Sequence, residues 1–214
     1  MSTTFEPTAR TKVRRNPVRG VYDREVVDSI INEGLICQVA FVHKGEPCVI
    51  PTAYARDESW LYVHGARANR TLNSICGQLA CVSITLVDGL VLSRSAFHHS
   101  ANYRSVMIYG IGEEVTSADQ KMEAMRLLIE HVVPGRWEDS RQPNEKELNA
   151  TLIVRIPLEE CSAKVRSGPP VDDEEDLTWP CWAGVLPVEL DWQDPLVDET
   201  CDRPAPDYLK GYRR

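Results

Sequence analysis

Two short runs hold the side chains best suited to chemistry: HGARANR, from His64 to Arg70, and SAFHHSANYRSVMIYG, from Ser95 to Gly110. Each sets arginine beside small and hydroxyl-bearing residues near a strand end, which is the composition of an anion site. Arg70 falls in the first turn of a short amphipathic segment, ANRTLNSICG, that closes on Gly77. Free backbone N–H groups and the positive end of the helix dipole favour an anion there, and a guanidinium adds a two-pronged donor. Arg104, flanked by Tyr103 and Ser105, could supply further donors from a neighbouring strand. Surface ion pairing accounts for Arg70 and Arg104 equally well.

Other chemistries find less support. No GxxxxGK run is present, and Gly110-Ile111-Gly112 lacks the third glycine of a dinucleotide fingerprint. It sits in a strand pattern and is better read as a bulge or a close backbone approach. Ser95, Ser100 and Ser105 lie near His98 and His99 in sequence, but there is no GxSxG elbow. A metal site from His98, His99, His64 and Asp88 is disfavoured, because adjacent strand residues point to opposite faces. Hydrogen-bonded histidines at a barrel rim are the simpler reading, and no metal is expected.

The chain has 214 residues, 43% of them hydrophobic, enough for one sizeable core. Its formal charge of -8 disfavours a broad nucleic-acid footprint. Seven scattered cysteines form no CxxC pair and fit reduced thiols better than disulfides. The basic, polar start, MSTTFEPTARTKVRRNPVRG, has no apolar leader core, and no run is long enough to span a bilayer. A cytoplasmic protein with neither membrane nor nucleic-acid partners is expected.

A series of short elements would position the arginines. A helix over 23–34 is expected from the Asp23 cap, the apolar face of Val26, Val27, Ile30 and Ile31, and Gly34. LICQVAFV, PCVIPTAYAR and WLYVHG then form a meander around a KGE turn. After the short segment at Arg70, ACVSITLV and NYRSVMIYGIGEEV follow, with a turn at Asp88-Gly89 between them. A helix over 119–133 and a last strand, ATLIVRIPL, complete a domain over 21–166. About six strands and three helices, joined by hairpins, argue for a mainly β fold: a small antiparallel barrel flanked by helices. Residues 1–20 read as a flexible arm. The 167–214 tail carries the acidic run DDEED with Trp179, Trp182 and Trp192, and those rings call for a surface to pack on.

HGARANR, SAFHHSANYRSV, PGRW at 134–137, SAKVRSGPPVDDEED at 162–176 and WAGVLP at 182–187 together resemble the flavin-binding branch of the pyridoxamine 5′-phosphate oxidase-related superfamily, and within it the nitroimidazole-resistance (Nim) flavoproteins. The resemblance runs from about Arg19 to Val188. It implies a split β-barrel homodimer with FMN at the subunit interface, and an FMN-dependent oxidoreductase acting on a small organic substrate. The alternative is a non-enzymatic flavin- or haem-binding protein on the same barrel. By the same resemblance Ile50, Pro51, Thr52 and Ala53 would line the flavin ring. His64 and Gly65 would border it, with His64 the candidate proton donor. Arg70 would grip the phosphate, Tyr103, Arg104 and Ser105 would adjoin it, and Trp182 would cover the ring. Asn69-Arg70 stands where the true oxidases carry Arg-Lys, and their C-terminal arginine motif for substrate phosphate is missing.

Overall fold

The computed structural model describes residues 3–213. In chain order its elements are β1 (Gly20–Val21), α1 (Arg24–Glu33), β2 (Ile36–His43), β3 (Glu46–Arg56), β4 (Trp60–Ala66), α2 (Arg70–Ile75), β5 (Leu79–Leu92), β6 (Ser100–Ile111), β7 (Glu113–Glu114), α3 (Ala118–Val132), α4 (Glu145–Ala150), β8 (Thr151–Pro157), β9 (Glu160–Arg166) and β10 (Gly184–Pro187). One antiparallel sheet in the order β1-β9-β6-β5-β2-β3-β4-β8-β7 curls into a split barrel, and β10 adds to β5.

Local chemistry explains the elements that carry the site. Asp23 caps α1 by accepting from the Val26 N–H, and the buried face is Val27, Ile30 and Ile31. Lys44 and Gly45 both have positive φ, 52° and 85°, between paired His43 and Glu46. A two-residue turn of that shape matches the strand twist and fixes the β2–β3 register. Over 37–41 of β2, 80–84 of β5 and 106–110 of β6 burial alternates, with Cys37, Val39, Val82, Ile84, Val106 and Ile108 inside. The barrel is therefore filled from one face of each strand, and α1 supplies apolar side chains to the same core.

The split has a definite cause in the pairing. β3 bonds to β4 only at Tyr54↔Val63, Ala55↔Tyr62 and Arg56↔Leu61, whereas its first half, through Ala53, pairs with β2 alone. β4 pairs with β8 along its whole length, His64 lying opposite Ile153, but beyond Val63 it no longer pairs with β3. The half of β3 holding Ile50, Pro51 and Thr52 thus has an open edge, a setting in which a strand tolerates proline.

Several expectations need correction. Asp88-Gly89 is not a turn: β5 runs through it to Leu92 with a register shift between Val87 and Gly89. A bulge absorbs the extra residue while leaving the strand continuous. The arm is not free, since Phe5 is buried and its N–H bonds to Tyr22 O. β9 and α4 were not foreseen; α4 announces itself in the capping box of Asn144 and Glu147. Part of the tail lies on the barrel: β10 pairs with β5, and Tyr212 donates to Val132 O while packing edge-on against Trp192, but Trp179 and Trp182 stay largely exposed, against the expectation that those rings pack.

Candidate functional site

The open edge of β3 and the diverging end of β4 leave a cleft of about 140 Å³, lined by Ile50, Pro51, Thr52, His64, Asn69 and Thr71 over Leu72. α2 closes it from one side. Asn69 caps that helix, its Oδ1 accepting from the Leu72 N–H, so Arg70 becomes the first helical residue. Arg70 is exposed and makes no ion pair among the described residues. Gly65 leaves room for the Asn69 side chain, because a Cβ at Gly65 would come within 3.0 Å of the Asn69 amide nitrogen.

His64 is half-buried, and its Nδ1 is buried without a hydrogen-bond partner among the described residues. Burial disfavours the charged ring, so its pKa is lowered from 6.5. The unfolded chain therefore takes up this proton first as pH falls, and the native state loses stability below about pH 6.5 while gaining nothing above it. In an NMR titration the His64 ring should still be neutral at pH 6.5. A midpoint at or above that value would mean the ring is better solvated than its enclosure implies.

The two arginine runs do not converge. Arg104 is clamped by the carboxylates of Glu33 and Asp88, the latter bonded at 2.7 Å. Its pKa is pushed up chiefly by those hydrogen bonds. It binds α1 to β5 and β6, and the ion-pair account is correct for it. Tyr103 and Ser105 emerge on the opposite face of β6 and line a separate groove beneath the N-terminal arm. Ala53 neighbours the cleft on β3, paired with Ile36. Trp182 is exposed and lies over Gly184, where a Cβ would come within 2.6 Å of its ring. Of the other histidines, His98 bonds to Asp173 at 3.1 Å and His99 to Ser95 O at 3.1 Å, as expected of rim residues.

All seven cysteines are free thiols. Burial pushes Cys37 and Cys161 up to about 12, which makes both inert at neutral pH. The cleft therefore offers an open strand edge and a neutral imidazole but no activated nucleophile; Arg70 does not line it and stands exposed at the start of α2, between the lining residues Asn69 and Thr71. Such an assembly can bind and orient a planar ligand with an anionic tail.

A search of curated protein sequences found no match. Among solved structures, the flavocytochrome Anf3 of Azotobacter vinelandii is 36% identical with a TM-score of 0.92, over 98% of this chain and 99% of that one. The FAD and haem binding protein of Mycobacterium smegmatis is 31% identical with a TM-score of 0.86, over 90% and 96%. A candidate 5-nitroimidazole antibiotic resistance protein of Bacteroides thetaiotaomicron shares the fold at 20% identity and a TM-score of 0.57, over 68% and 86%. Residues 23–165, which hold the open-edged β3, His64 and Arg70, match the family model described as pyridoxamine 5′-phosphate oxidase, and the chain belongs to that family.

Proposed function

We propose that this chain is a redox protein that binds a flavin in the β3–β4 cleft as a homodimer. The observation that carries the reading is the cleft itself, where Ile50, Pro51, Thr52 and His64 meet at an unpaired strand edge. Free backbone groups on β3 suit the hydrogen-bonding edge of a flavin ring, the orphaned His64 Nδ1 suits a ring or ribityl partner, and Arg70 suits a phosphate. When bound, the flavin supplies hydride chemistry that requires no side-chain nucleophile. The chain's own residues orient it, exclude water and, at His64, hold or accept a proton. A small organic molecule is the substrate class.

The homodimer follows from an incomplete site and an uncovered face. A cleft of about 140 Å³ falls short of the ~300–1,000 Å³ that ligand sites occupy. Beside it Ile36, Val42, Val49, Leu79 and Ile111 lie 45–63% exposed on the outer face of the barrel, around Ala40 and Cys81. A patch of that kind calls for a protein partner, and a second copy would enlarge the cleft. Sedimentation velocity should give a dimer at micromolar concentration, and Ala40→Arg should yield folded monomers with weakened flavin binding. A monomeric wild-type protein carrying its full flavin would sink this arrangement.

FMN is the flavin expected from the sequence, which has no glycine-rich cradle for a pyrophosphate. FAD together with haem is the second reading, favoured by the names of the two relatives that are 36% and 31% identical. The purified protein should show flavin absorption, and mass spectrometry of the released cofactor should decide between FMN and FAD. A Soret band would add the haem. A colourless protein that takes up neither flavin on reconstitution would overturn the proposal.

A further inference from the structure

The N-terminal arm does more than cover the sheet. Thr8 and Arg10 both bond the Glu160 carboxylate, and the Tyr22 hydroxyl accepts from the Val13 N–H at 2.8 Å. Pinned at both ends, residues 10–15 arch over the outer face of β6 and β9 and enclose a groove of about 350 Å³. It is lined by Arg10, Lys12, Arg14, Arg15 and Lys164 together with the hydroxyls of Tyr103, Ser105, Tyr109 and Ser162, and by no carboxylate among the described residues.

The charge arrangement differs from that of the clamped arginines elsewhere in the molecule. Arg56, Arg94, Arg104 and Arg155 each hold a carboxylate, as a chain of net charge -8 readily allows. Lys12, Arg14, Arg15 and Lys164 hold none among the described residues. Glu160, at the end of the groove, is already taken by Arg10 and Thr8. Like charges gathered on one wall repel one another in the free protein, and that cost is recovered when a multiply charged anion enters. The volume falls in the range of small-ligand sites.

We propose that this groove is a diphosphate site, in which Lys12, Arg14, Arg15 and Lys164 hold the anion and Tyr103 and Ser162 donate hydrogen bonds. It takes a small molecule bearing two linked phosphates, and it lies outside the His64 cleft. The diphosphate comes either from a nucleotide that stays bound or from one that exchanges with solution. Binding here is independent of whether the cleft holds a flavin, which is read separately from visible absorbance.

The test uses the full-length protein as purified, with inorganic pyrophosphate as the probe. Calorimetry at low salt should show one saturable site whose affinity falls as salt rises. The triple change Arg14→Gln, Arg15→Gln, Lys164→Gln should weaken it by about 30-fold or more, since charge-assisted contacts are each worth roughly tenfold. The double change Arg136→Gln, Arg141→Gln, on exposed arginines elsewhere, should leave it unchanged. Such a result assigns the site to an exchanging ligand. If wild type takes up no pyrophosphate but releases a flavin-free diphosphate compound on denaturation, and the triple variant releases at least tenfold less of it, the ligand is resident. No uptake and no released diphosphate, or equal behaviour of wild type and triple variant, overturns the proposal.

Discussion

Replacing Gly112 with alanine is expected to lower the melting temperature by roughly 6–12 °C, the counterpart of about 3 kcal/mol in a domain of this size. A Cβ at Gly112 would lie 2.5 Å from Ile75 O and 3.0 Å from the Ile75 carbonyl carbon, both backbone atoms. No rotamer can relieve such a clash. The same glycine accepts from the Gly77 N–H at 2.8 Å and donates to Gln78 O at 3.1 Å, so it clamps the end of α2 to the exit of β6. Pushing α2 outward moves Asn69, Thr71 and Leu72 away from the cleft wall, and ligand affinity should fall even at temperatures where the variant is folded. Gly77→Ala is the useful contrast. Its φ of 71° is unfavourable for alanine, but nothing lies within 4 Å of the added carbon. It should cost only the backbone strain of about 1–2 kcal/mol. Equal melting temperatures for Gly112→Ala and wild type would show that α2 yields freely and is not what shapes the cleft.

What the sequence reveals divides by range. α1, α3 and the β2–β3 hairpin are legible because their signals are local: a capping aspartate, a helical apolar period, a turn of two residues. Ile50–Thr52 and His64 came together in the sequence only through the family resemblance; the structure sets them along one cleft, but the open edge of β3 that makes it depends on where β4 parts from β3 and has no local signal. α4 carried an equally local signal in Asn144 and Glu147, but its length of six residues gives too little apolar periodicity to register. β9 follows β8 after two residues and reads as its continuation. Long-range pairing was not legible. Arg104 and Arg70 look alike in sequence, and only folding brings Glu33, 71 residues away, onto Arg104. The arm gives no sign that it docks, because the groove it forms depends on Glu160 and Tyr22 arriving from β9 and the link between β1 and α1.

That difference between two similar arginines sets up the sharpest test of the proposed flavin site. Arg70→Ala should weaken flavin binding by roughly 2–3 kcal/mol, about 30- to 150-fold, the cost of removing a charge-assisted hydrogen bond from a phosphate. The side chain is exposed and unpaired among the described residues, so the fold should be unaffected and the melting temperature of the ligand-free protein unchanged. Arg70→Lys should recover only part of the loss, since an ammonium keeps the charge but not the two-pronged geometry. Arg104→Ala should behave in the opposite way. Its guanidinium joins Glu33 at the end of α1 to Asp88 in the bulge of β5, and removing it leaves two carboxylates facing each other. The melting temperature should drop and the flavin affinity of the folded protein should stay near wild type. Fluorescence titration and thermal unfolding of the two variants, measured side by side, separate the roles. Equal flavin affinity for wild type and Arg70→Ala would remove α2 from the phosphate site, and a loss confined to Arg104→Ala would move that site to the far side of β6.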